Sequence, residues 1–307
     1  MYLPRPSKKG VRMEFKLILQ QIINGLSLGA IYSLIAVGFA MIFNILKFSN
    51  FAHGGVIGFS AYAGFLAATK LGLPLFPVIL VGMVVGGITA IIIEFIAFRW
   101  IRIRNGQLVY FFVTSITMLM LLQQILIIYF GKAFDYYPIT LIKTKVIRVS
   151  GLTISMNYVL TLIATIIAFS ILTYILKKTK IGIAIRAASN DLTATGLMGI
   201  NADFIVVATF FVSGLLGGLS GVLYGMSASL TPQIGQVVVK GFIASVLGGL
   251  GSLTGVAIAA FALGLIEVFL ITTIGSGLSP VVIFFIMIAF LLLRPQGVAG
   301  QSFTDKA

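Results

Sequence analysis

The stretch that decides the fold is Leu17–Leu46, LILQQIINGLSLGAIYSLIAVGFAMIFNIL, which contains no Asp, Glu, Lys or Arg. A helix needs roughly 20 apolar residues to cross about 30 Å of hydrocarbon. This run is longer than that, about twice the length of a secretory h-region, and lacks a convincing small-residue cleavage site. Arg5, Lys8, Lys9, Arg12 and Lys16 precede it. It reads as a retained first membrane anchor behind a basic tail, residues 1–16.

Outward from this anchor the same pattern returns at 75–98, 108–130, 157–176, 204–227, 254–274 and 276–293, with two shorter, glycine-interrupted runs at 53–69 and 237–250. Pro74, Pro77 and Pro280 open segments, and Pro232 separates two of them. Of the 307 residues 59% are hydrophobic and 9% charged, with a mean hydropathy of +1.14. A soluble domain carries about 25% charged residues. This excludes an ordinary cytosolic enzyme, a disordered chain and a nucleic-acid binder, despite a net charge of +14. The expectation is an all-α integral membrane protein with about eight transmembrane helices, one or two of them interrupted or re-entrant. A membrane domain at 17–300 would be followed by a short tail, 301–307.

Cations flank the apolar runs at Arg99–Arg104, Lys177–Lys180 and Arg294. Basic residues in short loops stay on the cytoplasmic side. The N-terminal tail, the 99–104 loop, the 177–203 loop and the tail after Arg294 are therefore expected inside. The 131–156 loop is expected outside, although Lys132, Lys143, Lys145 and Arg148 make it basic too. Parity is met if 53–69 dips in and returns while 237–250 crosses.

Chemistry is sparse. The chain has no cysteine and one histidine, His53, so disulfides, thiolate sites, Cys-ligated metals and His clusters are excluded. No metal or cofactor is expected. There is no G-x-x-x-x-G-K-[ST] phosphate loop, and no catalytic constellation appears in the polar loops. Three ionisable residues fall within apolar runs. Glu94 sits one turn before Arg99, where interfacial solvation accounts for it, while Lys240 and Glu267 are far enough inside to form a pair. A self-sufficient secondary transporter or channel would need more ion-coupling groups than these.

Glycines at four-residue spacing, Gly25/Gly29, Gly82/Gly86 and Gly217/Gly221/Gly225, let helix backbones approach closely. The order long run, short glycine-rich run, long run occurs twice, around 53–69 and around 237–250. Paired broken segments in two halves point to a transport pathway. Polar atoms there, namely Asn50, His53, Gly54, Ser60, Ser245 and Gly248, are its candidate lining, with unwound backbone as the main ligand surface. His53 is expected to bond a freed carbonyl.

The 177–203 loop differs in kind. After Gly182 an alanine-rich helical stretch runs to a C-cap at Gly199, which suits docking into a partner's groove. Gly182-x-x-x-Arg186-Ala187-x-x-x-Asp191-x-x-Ala194-x-x-x-x-Gly199-Ile200 resembles the cytoplasmic coupling loop of bacterial ABC-importer permeases, and more narrowly the branched-chain amino acid permease family. Asn24-Gly25-Leu26-x-x-Gly29-Ala30-x-Tyr32-x-Leu34, Asn50-Phe51-Ala52-His53-Gly54 and Arg294-Pro295-Gln296-Gly297 agree with it in the same order. The resemblance covers nearly all of 17–300 and leaves the N-terminal extension outside. It implies inward transport of branched-chain or other hydrophobic amino acids by alternating access at the bacterial inner membrane. Related permeases handle urea or short amides. Gly182, Arg186, Ala187, Asp191, Ala194 and Gly199 would couple to separate ATPase subunits. A second related permease, an extracytoplasmic binding protein and the surrounding lipid complete the implied partners.

Overall fold

The computed structural model describes residues 8–138, 146–149, 152–294 and 296–299, without the side chains of 8–15 and 146–152. Twelve helices and one small ribbon occur among these residues. Six helical stretches are long and apolar enough to cross a bilayer: Lys16–Leu46, Leu75–Ile103, Leu108–Phe130, Met156–Lys178, Ala202–Ser227 and Leu253–Ile274, with Ser279–Leu293 shorter. In chain order α1 is Lys8–Leu46, α2 Ala52–Thr69 and α3 Leu75–Ile93, which continues through a π-turn at Glu94–Phe98 into α4, Arg99–Ile103. Then come α5 (Leu108–Phe130), strands β1 (Val146–Val149) and β2 (Leu152–Ser155), and α6 (Met156–Lys178). Two short helices follow, α7 (Lys180–Asn190) and α8 (Leu192–Leu197). The second half holds α9 (Ala202–Ser227), α10 (Val238–Gly248), α11 (Leu253–Ile274) and α12 (Ser279–Leu293), with a 3₁₀ turn at Pro232–Val237 before α10.

Side-chain bonds at the helix ends sort them onto two faces. On one face Gln20 of α1 exchanges two bonds with the backbone of Thr153, and Asn157 of α6 donates to Ser227 at the end of α9. We call this the ribbon face. On the other, Lys47 donates to the Ser189 carbonyl of α7, and Arg99 and Arg102 pair with Asp203 at the start of α9. α1 therefore starts at the ribbon face and ends at the α7 face. This corrects the sequence reading, which placed the N-terminal tail on the side of the 99–104 and 177–203 loops. The positive-inside rule is a bias over all loops, and here helix pairing overrides it: α1 lies antiparallel to α11, with Gly25 against Leu265 and Gly29 against Phe261.

Both short runs start inside the bundle rather than at a face. α2 begins inside the bundle, where His53 packs between Gly38 of α1 and Gly217 of α9. It runs on to the ribbon face, where Tyr137 donates to the Ala61 carbonyl. It does not return to its starting face, as the sequence reading had it. α10 also begins inside, just after Gly235, whose backbone meets Gly54 of α2. It runs the opposite way and ends where Val298 donates to the Leu247 carbonyl. Among the described residues this makes nine crossings, in two of which the helix begins inside the bundle.

The halves are inverted repeats. α1, α2 and α3 correspond to α9, α10 and α11 with opposite direction, and each half lends its third long helix to the first of the other: α3 packs on α9 and α11 on α1. Both contacts use the glycine pairs, Gly82/Gly86 against Gly214/Gly218 and Gly25/Gly29 against Phe261–Leu265. Without a hydrophobic drive between helices in lipid, such close approach supplies the attraction.

Candidate functional site

Each residue of the expected pathway is placed in a buried position. Asn50 Oδ1 accepts from the Ala52 N–H at 3.1 Å, satisfying a donor at a helix start inside the bundle. His53 is buried with Nε2 unpartnered; its Nδ1 lies 3.5 Å from Ser213 Oγ, which itself donates to the Gly38 carbonyl. The expected bond from His53 to a freed carbonyl is absent. Ser60 Oγ donates to the Val56 carbonyl, and Ser245 Oγ lies within bonding distance of the carbonyls of Ala36 and Gly241. Gly54 packs on Gly235, and Gly248 on Gly255 and Val256. None of the six lines the cavity that opens at the ribbon face.

A cavity does open at the ribbon face, with a volume of about 530 Å³. α1 contributes Gln21, Asn24, Ser27, Leu28, Ile31 and Tyr32 to it, one stripe at three- and four-residue spacing. Tyr158 of α6 and Tyr224 and Ser227 of α9 form further walls. Glu267, Val268, Ile271 and Thr272 of α11 complete it. Glu267 is the cavity's charged residue. Its Oε1 takes the Lys240 ammonium at 3.0 Å and its Oε2 the Tyr32 hydroxyl at 3.0 Å. The Lys240–Glu267 pair that the sequence allowed thus forms, and it stands beside this cavity. The stripe Gln21/Asn24/Ser27 was not singled out as lining. Its signal was present, since these polar residues recur at helical spacing in an otherwise apolar run.

Glu94 is a further correction. Instead of being solvated at the interface it is fully buried and paired with Arg102 at 2.6 Å.

The 177–203 loop forms two helices rather than one. Thr179 caps α7 through the Gly182 N–H, and a Cβ on Gly182 would strike the Ile175 carbonyl. Asp191 leaves helical geometry at φ −154° and caps α8 through the Ala194 N–H at 2.9 Å. This cap breaks the helix that the alanine content alone would have continued. Gly199, at φ +82°, ends α8, with its own N–H on the Gly196 carbonyl and that of Ile200 on Thr195, as expected of a C-cap glycine. Arg186, Asp191 and Ala194 are exposed and Ala187 half-buried. Between Ala194 and Gly199, Leu197 and Met198 project into open space, 85% and 83% exposed. Sequence reading passed over both because isolated apolar residues in an apolar chain carry no contrast.

Among the described residues no group of three or more His, Cys, Asp or Glu side chains is placed to hold a metal ion. The sequence profile of the branched-chain amino acid transport system permease component matches residues 21–291. The chain belongs to the branched-chain amino acid permease family of ABC importers. It is 32% identical to the high-affinity branched-chain amino acid transport system permease protein BraD of Pseudomonas aeruginosa, over 94% of this chain and 97% of that one. Identity to LivH of Escherichia coli K12, a protein of the same description, is 30% over 95% and 99% of the two chains. The ribose import permease protein RbsC of Haemophilus influenzae is 32% identical over 80% of this chain and 76% of its own. No solved structure matches. Membership makes this a multi-pass transport permease, not an enzyme, and implies ATPase and substrate-binding partners in general.

Proposed function

We propose that this permease carries branched-chain or similarly hydrophobic amino acids into the cell across the bacterial inner membrane. Its substrate would come from an extracytoplasmic binding protein at the ribbon face. Separate ATPase subunits would dock on α7 and α8 at the cytoplasmic face and drive alternating access, with a second, related permease completing the pathway. The observation that carries this reading is the projecting Leu197–Met198 tip, held by the Asp191 cap at one end and Gly199 at the other. An exposed apolar pair on a short, capped helix is stable in water only at a cost, which burial in a partner's groove removes. The substrate class rests on the names of the relatives. Charge does not orient the molecule, since both faces are basic.

The test is Leu197→Asp combined with Met198→Asp. The variant is expected to reach the membrane at the normal level, to lose co-purifying ATPase subunits and to take up leucine at least tenfold more slowly. Normal uptake and normal co-purification would remove α8 as the docking element. Arg186→Glu serves as a second probe of the same surface, expected to uncouple uptake from ATP hydrolysis.

A further inference from the structure

We propose that the Lys240–Glu267 pair is an exchangeable receptor for the two charges of a free amino acid. The proposal rests on the amino acid reading above and names what recognises the substrate at the ribbon-face cavity.

Replacing a buried ion pair by apolar groups is often neutral or stabilising, and charges in apolar crossings are expensive and usually functional. Stability therefore does not account for this one. Its placement does point to a use. Glu267 faces the cavity, while Lys240 is the third residue of α10, which begins inside the bundle. The pair joins the cavity wall to the start of α10. The lysine's flexible four-carbon stem lets the ammonium swing away without moving the backbone.

A zwitterion fits this arrangement by charge balance. Its ammonium takes the place of the Lys240 ammonium on Glu267 Oε1, and its carboxylate pairs with the displaced lysine. One ion pair becomes two, and the site is neutral before and after, so no unpaired charge is left in a poorly solvated place. Tyr32 keeps Glu267 oriented through its bond to Oε2. Leu28, Ile31, Val268 and Ile271 give the same cavity an apolar wall for an aliphatic side chain, and its volume lies within the usual range for small-molecule sites. A ligand with one charge would leave either the lysine or the glutamate unmatched.

The experiment places the chain's sole cysteine at Thr272→Cys, in the cavity wall, and follows its labelling by a small charged methanethiosulfonate reagent in membrane vesicles. Leucine is expected to slow labelling severalfold. Leucinamide, lacking the carboxylate, and 4-methylpentanoate, lacking the ammonium, are expected to leave the rate unchanged. In a Lys240→Met, Glu267→Gln background the unliganded rate should persist and protection by leucine should vanish. Absence of protection by leucine, equal protection by either one-charge analogue, or full protection in the neutral variant each overturns the proposal. The analogue series uses the native pair, so it decides even where the neutral variant fails to reach the membrane. Uptake separates the two levels of inference. Leucine uptake by cells carrying Thr272→Cys, without protection, defeats the pair and leaves the transport reading standing; no uptake of any zwitterionic amino acid by the native chain defeats both.

Discussion

Arg102 donates to Glu94, eight residues back along the same helix, at 2.6 Å, and pairs as well with Asp203 at the start of α9. In an uninterrupted α-helix a residue eight positions on lies about 80° away from the first. The π-turn at Glu94–Phe98 inserts one extra residue and turns everything after it back by about 100°. Arg102 then occupies the face that position i+7 would hold. The bulge is what makes the pair reachable, and through Asp203 it ties the end of α3–α4 to the helix that leaves the α7–α8 loop.

Removing the cation leaves a buried carboxylate without a counter-charge, which typically costs about 3–5 kcal/mol. Arg102→Met is therefore expected to lower the temperature at which the purified protein loses monodispersity in detergent, and adding Glu94→Gln should restore much of the loss. An unchanged temperature in the single variant would show that Glu94 has another partner. Asp203 is more exposed than Glu94, so Asp203→Asn should cost less.

The bonds of Gln20 and Lys47 place the two ends of α1 on opposite faces. Single cysteines at Lys16 and Lys132 should be labelled by a membrane-impermeant reagent from one side of the membrane, and cysteines at Arg104 and Lys180 from the other. Labelling of Lys16→Cys and Lys180→Cys from the same side would refute the placement.

The start of α2 and the 3₁₀ turn before α10 meet backbone to backbone at Gly54 and Gly235. A Cβ on Gly235 would overlap the Gly54 carbonyl oxygen, and backbone cannot swing aside as a flexible side chain can. Gly235→Ala should destabilise by about 1–3 kcal/mol, the range for overpacking, and lower the yield of folded protein severalfold. Gly251→Ala, where a Cβ would meet nothing within 4 Å, is the matched control and should sit within about 0.5 kcal/mol of the parent. Equal yields of the two would mean that the crossing is loose.

Tyr137, in the loop after α5, donates its hydroxyl to the Ala61 carbonyl at 2.5 Å, and burial pushes its pKa above the ordinary value. The fold holds the neutral phenol. Its contribution is complete below the unfolded pKa of about 10 and shrinks as pH rises beyond it. Tyr137→Phe should cost about 1 kcal/mol at pH 8 and make the loss of thermal stability between pH 9 and pH 11 shallower. Parallel pH profiles for the two proteins would exclude Tyr137 as the group responsible.

The sequence by itself determined that this chain is a helical membrane protein, where most of its crossings lie, and that two short glycine-rich runs are exceptional. These are properties of local hydropathy and spacing: an apolar run of sufficient length has few ways to satisfy its backbone in lipid other than as a helix. In the 177–203 loop the C-cap at Gly199 was equally legible, because it acts on neighbours within a few residues; the break at Asp191, though its cap on Ala194 is just as local, was hidden by the alanine-rich run around it. The direction of α1, the onward course of α2, the burial of Glu94 and the cavity beside Glu267 were decided only by tertiary structure. Each depends on residues far apart in the chain, Gln20 with Thr153, Lys47 with Ser189, Tyr32 with Glu267. In an apolar chain hydropathy does not say which helix faces which. Close packing of particular glycines, and the need of a few buried polar groups for partners, make that choice.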